Sequence, residues 1–225
     1  MADMRLTPST RVLGAGAATS PVPIKGLKDG TVFTADWLAR MAFEGRMLTI
    51  NAGTGTAPIT SAGAYVNTTP DLDVNVPAGV CAIPVNIQIG IEAYGTTALF
   101  EAVAAVGQGG VATPTSVDTV TLVNNRIDKT GEVFGITAGA TGTGATYMTT
   151  GVYEFMRHQH NKMVTIATAD DDSSIGPSQY SWNALTTGCW PIMYSTATFT
   201  RLNVFMSGQA TTGFIIVTLV VPELV

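Results

Sequence analysis

The chain holds two histidines, His158 and His160, spaced as HQH. On a β-strand that spacing sends both imidazoles to one face, as two metal ligands would require. A third ligand is needed, and Glu154 shares their parity. Arg157 and Lys162 flank the pair, so it reads as a polar strand end, and no metal is expected. The run Asp170, Asp171, Asp172, Ser173, Ser174 offers oxygen ligands for calcium. It lacks the alternating acidic spacing, the central Gly and the closing Glu of a calcium loop, and reads as a solvated turn.

Nucleophilic catalysis needs a Ser or Cys beside a His and an orienting acid. Two histidines two residues apart leave little choice of base, and no G-x-S-x-G elbow occurs. Cys81 in GVCAIP and Cys189 in TGCWPI lack a nucleophile context. Glu92 and Glu101 could be imagined as a glycosidase pair, although strands and loops always supply some acids. GAGAATS and GATGTGAT lack, respectively, the dinucleotide fingerprint and the phosphate-loop Lys. No enzyme and no cofactor is expected, because no set of residues meets the requirements of an active site. Tyr180, Trp182, Trp190 and Tyr194 could form a sugar platform, but core packing or a subunit contact is the commoner fate of such rings.

The elements that would carry these residues follow from composition and period. A 225-residue chain of this kind folds as one β unit. Apolar residues make up 46% and charged residues only 12%, so much of a monomer's surface would be neutral or apolar, and such surfaces are covered by partners. The formal charge is −5 with no run of Lys or Arg, which argues against nucleic acid and anionic membranes. Arg5 and Arg11 are too few for a basic arm that holds a genome. Cys81 and Cys189 have no neighbour at metal-ligand spacing and are expected buried and reduced, as in a cytoplasm. The start MADMRLTPSTRVLG has no signal-peptide core, and the apolar stretch Phe214 to Val221 falls far short of the roughly 18 residues that cross a bilayer.

Residues 1–30 hold three Pro, several Gly and Ala and no period, and read as an extended arm of the kind that crosses a neighbouring subunit. Trp37, Leu38, Met41 and Ala42 recur at helical spacing, with Thr34 to cap and Gly45 to end a helix of about three turns. From Met47 the period is two. Leu72, Val74 and Val76 alternate with Asp71, Asp73 and Asn75; Val85, Ile87, Ile89 and Ile91 alternate with Asn86, Gln88, Gly90 and Glu92. The second run implies one covered and one polar face, as in antiparallel sheets. Further strands are expected at 97–106, 119–123, 152–156, 163–168, 197–206 and 214–221, the last of them internal or covered because it is apolar on both faces. ITAGATGTGATYMTTG and ADDDSSIGPSQ read as exposed loops. The expected fold is all-β: an antiparallel, jelly-roll-like β-sandwich over residues 31–225 with an N-terminal arm and one short helix.

The F-E-G turn of Phe43 to Gly45, the NAGTGT stretch of Asn51 to Thr56, the DLDVNVPAGVCAIP run of Asp71 to Pro84 and the IQIGIEA strand of Ile87 to Ala93 together resemble virion structural proteins of tailed bacteriophages. The match spans roughly the middle quarter of the chain, in patterns common among jelly rolls. That resemblance implies a decoration or cement protein on the capsid surface, often trimeric, made in the host cytoplasm and clamping the major capsid protein of the same virion. It also implies a mechanical role, in which many weak contacts add up on a lattice. Alternatives are the major jelly-roll capsid protein itself and, from another class, a carbohydrate- or receptor-binding module of a virion fibre. For decoration, the expected contacts are the arm, with Arg5, Arg11 and Lys25, and the helix face of Trp37 and Met41.

Overall fold

The computed structural model describes residues 5–6, 22–23, 36–61, 63, 69–95, 99–109, 114–141, 148–161, 177–207 and 211–223. The expected strand at 163–168, the acidic run 170–174, Arg11, Lys25 and the capping Thr34 lie outside them. The chain divides into two compact units, 1–40 and 41–225. In the first, Arg5–Leu6 (β1) pairs antiparallel with Val22–Pro23 (β2), Arg5 opposite Pro23. The helix α1, Trp37–Phe43, has about two turns rather than three. It stops as its sequence predicts: Gly45 takes φ +71, its N–H reaches Ala42 O at 3.0 Å, and Arg46 N–H reaches Met41 O at 2.8 Å. Those two bonds satisfy carbonyls that the helix end would otherwise leave open.

The second unit is built on eight strands: Met47–Ala52 (β3), Leu72–Val76 (β5), Ile83–Ala93 (β6), Leu99–Gln108 (β7), Thr150–Asn161 (β10), Gln179–Asn183 (β11), Thr200–Ser207 (β12) and Thr212–Val220 (β13). The first pairs with the last, β3 with β13, and the second with the seventh, β5 with β12. The third pairs with the sixth, β6 with β11, and the two middle strands, β7 and β10, with each other. This is a long antiparallel hairpin folded over on itself. Pairing of β13 with β6 and of β12 with β7 then closes two sheets, and the result is the jelly-roll order. Val120–Asn124 (β8) adds to β3 and Thr137–Ala140 (β9) to β5, while Ile59–Thr60 (β4) pairs with β13. The sheet orders are β11-β6-β13-β3-β8 and β10-β7-β12-β5-β9.

Alternation places Leu48, Ile50, Ile87, Ile89, Val217 and Leu219 of the first sheet against Leu72, Val74, Ala102, Ala104, Leu202 and Val204 of the second, all fully buried. β13 lies between β3 and β6, as its apolar character predicts. The outer face of the first sheet is polar but carries no charge across its middle. One row reads Ser181, Gln88, Ile216, Asn51, Thr121 across five strands, and the next reads Asn183, Asn86, Thr218, Thr49, Val123.

The second sheet departs from simple alternation. β5 is buried at all five positions, and β7 is buried from Ala102 to Val106. Part of the cover comes from Pro114 and Thr115, which lie so close over Gly139 that a Cβ there would press into the Thr115 carbonyl. The segment ITAGATGTG is therefore not an exposed loop throughout: Thr137–Ala140 forms β9, with Gly139 and Ala140 buried. Small side chains let a second layer of backbone approach, a contact that a reading from hydropathy misses. Gln179–Asn183 was likewise not anticipated as a strand, since its flanking Pro and Gly signal a turn. The short helix Ala184–Thr187 (α2) follows it, capped by the Asn183 side chain, which accepts from Leu185 N–H at 2.9 Å.

Candidate interaction surface

The HQH pair lies on β10, an edge strand, with His158 opposite Ala102 and His160 opposite Phe100. Both imidazoles are half-buried and point inward with Met156. A β-bulge at Phe155, between Glu154 and Met156, reverses the parity, so Glu154 stands on the other face and cannot complete a ligand set. Glu154 instead joins Glu101 in pairing with Arg157, each at 2.7 Å. The histidines form a seam to the facing sheet. His158 Nε2 lies 3.1 Å from Ser181 O, and its ring is 5.8 Å from that of Tyr180. The His160 ring lies 5.9 Å from that of Tyr94, whose hydroxyl is 2.8 Å from that of Tyr180. Burial pushes both phenols above their usual range. The seam thus joins the open edges of the two sheets, β10 and β11. Among the described residues no group of three or more His, Cys, Asp or Glu is placed to hold a metal ion.

Glu92 and Glu101 do not converge. They point outward from β6 and β7, which belong to different sheets, and so stand on opposite sides of the sandwich. Cys81 and Cys189 are free thiols; Cys81 is buried, and burial pushes its thiol up, whereas Cys189 is half-buried. The four aromatics of the imagined sugar platform separate. Tyr180 and Trp182 are core residues, stacked on Phe100 at 5.1 Å and edge-on to Phe155 at 4.7 Å, while Trp190 and Tyr194 are exposed.

A charged group that the sequence hides lies on the outer face of the second sheet. Asp71, just before β5, Asp73 and Asn75 of β5, and Arg201 and Asn203 of β12 are all buried. Arg201 pairs with Asp73 through Nη1 and donates from Nε to Gly109 O at 3.1 Å. Asp71 accepts from Met206 N–H, and Asn203, with its amide turned, donates to Asp73 Oδ1 at 3.0 Å. Loss of water raises the Asp73 carboxyl to about 6 against the opposing pull of Arg201. The partners named here all belong to the fold, which gives the group a structural role.

Several large apolar side chains are open to solvent. Between β11 and β12, Leu185 is 60% exposed, Ile192 63%, Trp190 37% and Tyr194 38%. Val152 and Tyr153 at the start of β10 are also exposed. Burial raises the Tyr153 phenol, with the Cys189 thiol as the second cause, which brings this end of β10 beside the 184–199 segment. Residues 173–200 contain no Asp, Glu, Lys, Arg or His, so nothing charged interrupts the patch within that segment. Of the contacts expected from sequence, Arg5 lies on β1, Trp37 is 39% exposed on α1, and Met41 is buried.

No family model matches the chain, and no curated protein does. Two solved structures align over most of it. The infectious bursal disease virus VP2 subviral particle shares 11% identity over 96% of this chain and 49% of its own, with a TM-score of 0.20. A structure of the infectious bursal disease virus Gt strain shares 12% over 95% of this chain and 50% of its own, with a TM-score of 0.18. The chain spans about half the length of these structures.

Proposed function

We propose that the chain is a non-enzymatic structural protein of a virus particle, one that decorates and cements the capsid surface as a closed homo-oligomer, most simply a trimer. The observation that carries this reading is the exposure of four large apolar side chains, Leu185, Trp190, Ile192 and Tyr194, in the connection from β11 to β12, within a stretch of 28 residues, 173–200, free of charge. Several large side chains held in water at one end of a sandwich are stabilised when a partner covers them. The jelly-roll order supports the same reading, since it is an architecture of shell-forming proteins, and so does the resemblance of residues 43–93 to phage virion proteins. Function is not fixed by fold alone, which is why the surface bears the weight.

In this reading the mechanism is mechanical. Each copy buries its apolar end against a neighbour, and the shell multiplies weak contacts into a firm one because the sites are held in register. The contact is heterologous, one surface against a different one, so a rotation that closes gives a ring and three copies suffice. Light scattering tests this. A mass of three chains, or of a multiple of three, at micromolar concentration supports the reading, and a monomer at all concentrations overturns it. Selective retention on a glycan array, lost in Trp190→Ala, would move the assignment to a carbohydrate-binding module.

A further inference from the structure

We propose that the uncharged middle of the outer face of the β11-β6-β13-β3-β8 sheet, away from Glu92 at the end of β6, is a two-fold docking surface for the same face of a second copy. This deepens the assembly reading above and rests on it. The central row reads Ser181, Gln88, Ile216, Asn51, Thr121 from one edge of the sheet to the other. By chemistry that is hydroxyl, amide, apolar, amide, hydroxyl, a pattern symmetric about Ile216, which is 37% exposed on the central strand. A two-fold axis over Ile216 sets amide against amide and hydroxyl against hydroxyl, whether it runs along the strand or across it.

The occupant follows from charge and from hydrogen-bonding capacity. Amides and hydroxyls each donate and accept, so a surface made of them can satisfy itself, whereas carboxylates only accept and ammonium groups only donate. An isologous contact demands that self-complementarity. A chain of net charge −5 also repels its own copies least where its surface carries no charge. A basic or acidic partner would gain nothing from the middle of this face. Five strands at about 4.8 Å spacing and some 20 Å of strand give a footprint on the order of 500 Å² per copy, about 1,000 Å² for the pair, which is the size at which specific contacts begin.

A two-fold contact doubles whatever unit the other contacts make, so breaking it halves the mass. Sedimentation equilibrium on Ile216→Glu and on Ile216→Lys, each alone and mixed one to one, tests this directly. The expected result is half the wild-type mass for either variant alone, through like charges facing across the axis, and recovery of the wild-type mass in the mixture. An unchanged thermal midpoint establishes that both variants fold. Wild-type mass in the separate variants, a wild-type chain already at the lower mass, or no recovery on mixing would each overturn the proposal. The functional reading fails separately: its failure is absence of the wild-type chain from purified particles, whatever the mass of the variants.

Discussion

Asp73 on β5 and Arg201 on β12 form an ion pair on the outer face of their sheet, with 3% and 0% of their side chains left to solvent. Breaking such a pair strands a buried charge, so Arg201→Ala should cost about 3 to 5 kcal/mol in denaturant unfolding. Replacing both partners by apolar residues of similar volume, Asp73→Leu with Arg201→Met, should cost far less than the single change. A double variant as damaged as Arg201→Ala would mean that the pair is stabilising in its own right.

The pH dependence has a definite sign. The Asp73 carboxyl stands at 3.8 when unperturbed and is raised to about 6 in the fold, burial outweighing Arg201. The folded chain therefore holds this proton more tightly than the unfolded one. Stability from that source is complete below about pH 4 and is lost as pH rises through 6, by about 3 kcal/mol at most. Asp73→Asn cannot titrate, so the advantage of the wild type over this variant should shrink from pH 4 to pH 7. An advantage that grows with pH would show that attraction to Arg201 exceeds the cost of burial.

The two thiols should differ in reactivity. Cys81 is buried with its thiol raised, and Cys189 is half-buried beside Tyr153. In the native protein a maleimide should label Cys189 well before Cys81, and both at similar rates in denaturant. Equal native rates would contradict the placement of Cys81 in the core.

Ile192 is 63% exposed and should contribute little to the stability of a single copy. Ile192→Glu should leave the thermal midpoint within a few degrees while lowering oligomer mass. A fall in midpoint with unchanged mass would make this side chain part of the fold rather than of a contact.

The sequence was most legible where one physical rule acted alone. Period-two patterning located β6, and an apolar run interrupted only by Thr218 marked β13 as internal. It was least legible on the second sheet, where β5 alternates like a half-exposed strand yet is buried throughout. Its Asp73, and Asp71 just before it, find partners on β12, about 130 residues away, and no local pattern announces that pairing. The bulge at Phe155 illustrates a second limit: one extra residue moved Glu154 to the opposite face from His158 and His160 and removed the imagined third ligand. Tyr180 and Trp182 were set apart from Trp190 and Tyr194 by whether each residue falls inside β11 or beyond it.

The account depends most on the chain being a structural part of a virus particle. The direct measurement is quantitative mass spectrometry of density-purified particles from the source of this sequence, before and after mild denaturant. The account predicts many copies per particle, released together while the closed shell remains. Absence of the chain from the particles would contradict it, and a shell that falls apart as the chain leaves would make this protein the shell itself.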